Sequence, residues 1–238
     1  MNPLVDVRGL EYTYEDGSHA LRGVDFQLDP GETVALLGPN GSGKTTFVLH
    51  LNGLLKGEGQ VRVCGLEVTT GNLAVIRRKV GLVFQDSDNQ LFMPTVLEDV
   101  AFGLLNLGIS PEQAAVRAQS ALENVGMALA AQRAPYHLSA GEKKRVALAG
   151  VLAMDPELLV FDEPTTFLDP PGQRALAALL TQLPQAKILV THDANFALAV
   201  CSRAVFFQEG RVAGAGPVEE VISQFEWSFR SPAPSAVR

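Results

Sequence analysis

Cysteine is scarce in this chain: Cys64 and Cys201 are the two in 238 residues, far apart and without a CxxC spacing. That excludes a disulfide framework and a thiolate metal site, and predicts free thiols in a reducing cytosol. The four histidines, His19, His50, His137 and His192, show no metal-ligand spacing either. Positive charge is also short. There are 19 Lys and Arg against 26 Asp and Glu, a net charge of −7, whereas a nucleic-acid partner favours a basic face, so no such partner is expected. No run reaches the ~18–20 apolar residues that a membrane-crossing helix needs. The longest, Val146 to Met154, reads as a buried helix segment. The first residues, Met-Asn-Pro-Leu-Val-Asp, lack a basic region followed by an apolar stretch, so no secretory signal is expected. Internal repeats and heptad runs are missing, which argues against a solenoid or a coiled coil.

What is present is a 47% apolar composition, enough for a sizeable core in one large domain or two small ones. Residues 4–36 read as strands broken by turns at Asp16-Gly17 and Pro30-Gly31, with Val24, Phe26 and Leu28 alternating at period two. Thr33 to Leu37, Leu158 to Phe161 and Lys187 to Val190 are short apolar runs, the mark of strands buried on both faces. Val61 and Val63 resume alternation, and Gly81 to Phe84 forms another short strand. From Asp86 to Met154 the pattern turns helical, with cap signatures at Thr95 to Glu98 and at Ser110-Pro-Glu-Gln113. Ala204 to Ala215 reads as a hairpin turning at Glu209-Gly210, Pro217 opens a last helix, and Ser231 to Arg238 is expected to be a disordered tail.

Three segments carry chemistry. Gly38-Pro-Asn-Gly-Ser-Gly-Lys-Thr45 matches GxxxxGK[ST] between a buried strand and an apolar helix. In such a loop the backbone N–H groups face phosphate oxygens, Lys44 reaches the β and γ phosphates, and Thr45 offers a hydroxyl to Mg²⁺. Leu158-Leu-Val-Phe-Asp-Glu163 ends a buried strand on two carboxylates. Asp162 is placed to hold the Mg²⁺ shell and Glu163 to polarise a water. Leu138-Ser-Ala-Gly-Glu142 reads as a capping box, Ser139 to Glu142, opening a helix whose N-terminus suits a phosphate. His192 and Gln85, at the exits of two other strands, say little by themselves.

Taken in order, the phosphate loop, Gln85, Leu-Ser-Ala-Gly-Glu142, Asp162-Glu163, Leu168-Asp169 and His192 resemble the ATP-binding-cassette (ABC) ATPases over about residues 4–222. The resemblance implies an α/β fold: a P-loop NTPase (RecA-like) core with an antiparallel β subdomain and an inserted α-helical signature subdomain. It implies one ABC ATPase domain over 1–228, with the β and RecA-like core in 1–85 and 155–228, the helical subdomain in 86–154, and a tail over 229–238. ATP and Mg²⁺ are the implied cofactors. The nucleotide would lie on Gly38, Pro39, Asn40, Gly41, Ser42, Gly43, Lys44, Thr45 and Thr46, with Tyr14 stacked on adenine. Thr45, Gln85 and Asp162 would serve Mg²⁺, while Glu163, His192 and Gln85 would be catalytic. Such ATPases work as head-to-tail dimers, so Ser139, Ala140, Gly141 and Glu142 would close over the nucleotide of a second ABC ATPase subunit, identical or not. Asp169 would contact that subunit.

A narrower stretch, Gly81 to Gly103, with Glu142-Lys-Lys-Arg-Val146 and Ala149 to Met154, is similar to the ATPases of energy-coupling-factor (ECF) importers of cobalt, nickel or vitamins. There Asp88 to Phe92 would touch an integral membrane coupling subunit, which in turn works with a substrate-binding membrane subunit. The chain would then sit peripherally on the cytoplasmic face of the cell membrane. Vitamin importers' ATPases tend to end in a longer extension, which points this chain towards cobalt or nickel. The alternatives are a vitamin importer's ATPase and a soluble, non-transport ABC ATPase. The chain departs from the common pattern in three places: Ala140 stands where Gly is usual, Thr166-Phe167 where smaller residues are usual, and Pro171 follows Pro170.

Overall fold

The computed structural model describes residues 2–227; residue 228 and the expected tail, 229–238, lie outside the described residues. Strands β1 (Val5–Thr13), β2 (His19–Leu28), β4 (Glu58–Val63) and β5 (Leu66–Glu67) form an antiparallel sheet in the order β2-β1-β4-β5. A second sheet has the order β10-β9-β3-β8-β7-β6, from β3 (Thr33–Leu37), β6 (Val80–Val83), β7 (Leu158–Asp162), β8 (Ala186–Val190), β9 (Arg203–Gln208) and β10 (Arg211–Pro217). Its strands pair in parallel from β9 through β6, and β10 adds one antiparallel edge. The β9–β10 hairpin turns at Glu209 and Gly210, both at positive φ, the type I′ geometry that follows strand twist.

The apolar runs form these strands because each strand feeds two cores. Val34, Leu36, Val160, Ile188 and Phe207 face the antiparallel sheet and pack with Val5, Leu10, Leu28 and Phe26. Their neighbours Ala35, Leu37, Phe161, Leu189 and Phe206 face the opposite way, into a helical layer. A strand wetted on neither face has no polar side to alternate. Helix α1 (Lys44–Leu51) leaves the tip of β3 and drives Phe47, Val48 and Leu51 between the two sheets. The short α2 (Leu73–Lys79) buries Ile76 in the same core and gives the sequence little signal, since three of its seven residues are basic.

The helical layer holds α3 (Val96–Asn106), α4 (Pro111–Asn124), α5 (Ala140–Leu152), α6 (Pro170–Gln182), α7 (Ala194–Val200) and α8 (Val218–Gln224). Thr95 and Glu98 complete a capping box on α3, and Ser110 caps α4 with Pro111 at its first position. On α4 the buried face is Ala114, Ala118, Ala121 and Leu122, a helical-period stripe of mostly small residues that lets α3 and α5 approach. Both thiols are free, and burial pushes Cys64 and Cys201 up to about 12, which keeps them unreactive at neutral pH. No helix among the described residues is long and apolar enough to cross a membrane.

Candidate functional site

The carboxyl ends of β3, β7 and β8 converge on one cleft of about 740 Å³, where open parallel sheets take their ligands. The turn after β3 requires glycine at two points. Gly38 has φ +132° and a Cβ there would lie 2.1 Å from the Phe207 carbonyl oxygen; at Gly43, φ +102°, it would lie 2.5 Å from that of Ala20. The loop is therefore pressed against β9 and β2 while α1 starts at Lys44 with its N–H groups open to the cleft. Lys44 is 6% exposed, and its ammonium donates to the carbonyls of Gly38 at 2.7 Å and Pro39 at 2.9 Å. Burial pushes this ammonium's pKa down, against the pull of Glu163 and Asp162. The Thr45 hydroxyl donates to the Asp162 carboxylate at 3.0 and 3.2 Å, joining residues 117 apart in sequence.

β7 ends on Asp162, and the backbone then turns through Glu163 at φ +45°, held by the Glu163 N–H donating to the Val190 carbonyl at 2.8 Å. Non-glycine residues seldom adopt this conformation, and it aims Glu163 at His192, whose Nδ1 lies 2.8 Å from its carboxylate. Gln85 and His192 do not terminate their strands: β6 ends at Val83 and β8 at Val190, two residues short of each. Both still line the cleft. Tyr14 reaches it from the end of β1, its hydroxyl 2.9 Å from that of Thr46 and its ring 38% exposed.

Among the residues brought to this cleft, Asp16, Ser18 and His19 escaped the sequence reading. They follow the Tyr14 turn, and only the pairing of β1 with β2 brings them round. The signature segment is elsewhere. Ser139 caps α5 by accepting from the Glu142 N–H at 3.3 Å, and the Glu142 carboxylate accepts from the Ser139 N–H at 2.7 Å. Ala140 is the first helical residue, with Gly141 behind it. They line a separate recess of about 450 Å³ with Phe167, Leu168 and Asp169. Asp169 caps α6, accepting from the Gly172 N–H at 2.8 Å. In one chain, then, the phosphate loop and the signature open onto different cavities.

Phe167, one of the departures in sequence, sits on a strained backbone. It has φ +66° and is 75% exposed, the left-handed conformation that favours glycine. Phe167→Gly is expected to stabilise the chain by about 0.5–1 kcal/mol, the relieved backbone strain less the entropy of the added glycine. That is a rise in Tm of about 1–4 °C for a domain of this size, read by thermal denaturation. A fall would show that the aromatic ring's contacts outweigh the strain.

Residues 21–166 match the ABC transporter family. The chain is 43% identical over 232 residues to the energy-coupling factor transporter ATP-binding protein EcfA of Methanosphaera stadtmanae, covering 95% of this chain and 84% of that one. Its fold matches that of cbiO1 from Clostridium perfringens, part of the ABC transporter complex cbiONQ, with a TM-score of 0.86 and 36% identity, over 95% of this chain and 93% of the other. It also matches the ATP-binding cassette MJ0796 in a dimeric, post-hydrolysis state bound to ADP and Pi, with a TM-score of 0.81 and 31% identity, over 90% and 98%.

Proposed function

The chain belongs to the ABC transporter family, and from that premise we propose that it is the ATP-hydrolysing subunit of an ECF-type importer whose cargo is cobalt or nickel ion. The observation that carries the ATPase reading is the meeting, in one cleft, of Lys44, Thr45–Asp162 and Glu163–His192. ATP binds with its phosphates on the loop Gly38 to Thr46 and the N-terminus of α1. There Lys44 exchanges its carbonyl partners for the β and γ phosphates, and the exposed face of Tyr14 receives adenine.

Mg²⁺ fits the donor set. Thr45 and Asp162 present hard oxygens to one point, and no cluster of three or more His, Cys, Asp or Glu surrounds it among the described residues. Mg²⁺ is commonly held by one or two carboxylates, water and substrate phosphate rather than by a protein cage. Thr45 and Asp162 would hold the ion, with Gln85 nearby, and it would neutralise charge developing on the phosphates. Glu163 takes the proton from the attacking water, and His192, fixed by Glu163, faces the γ-phosphate.

The second cavity supports a two-subunit reading. The cap at Ser139 and the helix start at Ala140 and Gly141 form an anion-seeking end with no phosphate loop of their own chain beside it. We assign them to the nucleotide of a second ATPase subunit, with Asp169 at the contact; a dimeric relative supports this arrangement. The membrane-facing surface is read from Asp88 to Phe92. Phe92 is 62% exposed and stands edge-on to Phe102, an aromatic pair open to an inserted helix of a membrane coupling subunit. That subunit holds the chain at the cytoplasmic face of the membrane and works with a substrate-binding companion. The cargo assignment rests on the likeness to the ECF ATPases.

The test is co-purification from membranes with a tagged chain, followed by uptake of labelled cobalt, nickel or vitamins in cells lacking the gene. Loss of metal uptake is expected. Loss of vitamin uptake instead would overturn the cargo, and ATPase activity with no membrane partner would overturn the importer.

A further inference from the structure

Lys144 lies one turn into α5, beyond the Ser139 cap, and is 3% exposed. Its ammonium donates to the backbone carbonyls of Gln85 at 2.6 Å and Phe84 at 3.3 Å. The neighbouring Lys143 pairs with Asp88 at 2.5 Å. Two consecutive lysines of the signature helix thus hold the loop that leaves β6. This loop is also closed on itself: the Gln90 side chain accepts from the Phe84 N–H at 2.9 Å and donates to the Leu82 carbonyl at 3.1 Å. Asp86 accepts from the Asp88 N–H at 2.9 Å and the Asn89 amide at 3.2 Å.

Burying an ammonium costs several kcal/mol unless its protons are satisfied. Here two loop carbonyls accept from it, and the bond to Gln85 at 2.6 Å is a charge-assisted hydrogen bond of the stronger kind. Removing the ammonium frees the very backbone unit that carries Gln85, while Gln90 and Asp86 keep the rest of the loop folded. A fastening that acts on the carbonyl of Gln85 sets where its side chain enters the cleft, 59 residues away in sequence.

We propose that Lys144 is the positioning residue for Gln85, fastening it to α5 so that Gln85 and the Ser139–Gly141 end of that helix move as one body. This rests on the ATPase reading given above. The distance along the helix from Ala140 to Lys144 is only about 6 Å, so a phosphate seated at the helix end by a second subunit fixes Gln85 at this chain's own nucleotide. The two sites of a dimer are then coupled through one helical turn.

The test is a double-mutant cycle on the full chain, reading steady-state ATPase and equilibrium binding of a fluorescent ATP analogue. Lys144→Met keeps the aliphatic stem and removes the ammonium. We expect kcat to fall about tenfold or more with KM and analogue affinity within about twofold, and Gln85→Ala plus Lys144→Met to be no slower than Gln85→Ala alone. A double variant slowed by the product of the two single effects overturns the proposal, as does an unchanged kcat. A parallel loss of analogue affinity also overturns it, marking Lys144 as packing only. If Gln85→Ala itself leaves kcat unchanged, the assignment of Gln85 falls together with the proposal. If Lys144→Met does not fold, Lys144→Leu, which also removes the donor and keeps an apolar stem, runs the same cycle with the same expected non-additivity.

Discussion

Glu163→Gln is expected to bind ATP with nearly native affinity and to turn it over about 10²–10⁴ times more slowly, the span of general-base catalysis. The substitution is close to isosteric at a side chain only 13% exposed, where a change of shape would disturb its surroundings. A carboxamide oxygen can still accept from the His192 N–H and from a protonated Nδ1, at the observed 3.4 and 2.8 Å. The backbone anchor to Val190 is untouched. What disappears is basicity: an amide cannot take a proton from water. kcat should therefore fall while the binding of an ATP analogue stays within about threefold, the pattern of an interaction made only in the transition state. Because ATP is no longer consumed, the variant should also accumulate as an ATP-dependent dimer in light scattering. Unchanged steady-state hydrolysis would remove Glu163 from the role of base. A monomer at saturating ATP would remove the two-subunit site.

Glu163 also shows which parts of the site could be read from sequence. The phosphate loop, the Asp162-Glu163 strand end and the Ser139–Glu142 capping box are each written within eight positions, and glycine, Ser, Asp and Glu each leave a chemical trace, although Asp162 meets Thr45 only through the fold. Gln85 and His192 became legible only through the order of motifs along the chain, since a polar residue at a strand exit has many reasons to be there. Lys144 was illegible. It lies within a run of charges that resembles a solvated helix face, yet it points inward to carbonyls 59 and 60 residues away. The positive φ of Glu163 and Phe167 leaves no trace in residue type, because both positions hold side chains that ordinarily avoid it. The fold was more readable than the site. The continuous apolar runs of β3, β7 and β8 announce strands buried on both faces, whereas α2 buries only Ile76 and has no pattern to announce.

Asp162→Asn separates the stability of the site from its chemistry. Burial pushes the Asp162 carboxyl pKa up, and the neighbouring Glu163 charge adds to this, against the Thr45 hydroxyl and the Lys44 and Lys144 ammoniums. A carboxyl whose folded pKa exceeds its unfolded value contributes stability below the unfolded pKa and loses it as pH rises through the folded one. At neutral pH the ionised group is therefore a net cost to the nucleotide-free chain. Asparagine removes that cost and keeps an oxygen for the Thr45 hydroxyl, seen at 3.0 Å from one carboxylate oxygen. Without Mg²⁺ or ATP the variant should melt higher, by about 2–4 °C for each kcal/mol recovered. The difference should shrink as pH falls towards the raised pKa, where the native carboxyl also becomes neutral. The chemistry should move the other way. With the anionic oxygen gone, the Mg²⁺ concentration for half-maximal ATPase should rise about 10–100-fold, the usual effect of losing an oxygen that orients a metal's shell. The native protein's Mg²⁺ requirement should steepen on acidification, as protons compete for Asp162, and the variant's should lose that component. An unaltered Mg²⁺ requirement would displace Asp162 from the ion. A lower melting temperature in the variant would mean that the attraction of Asp162 to Lys44 and Lys144 outweighs its desolvation, reversing the sign of its contribution to the unliganded fold.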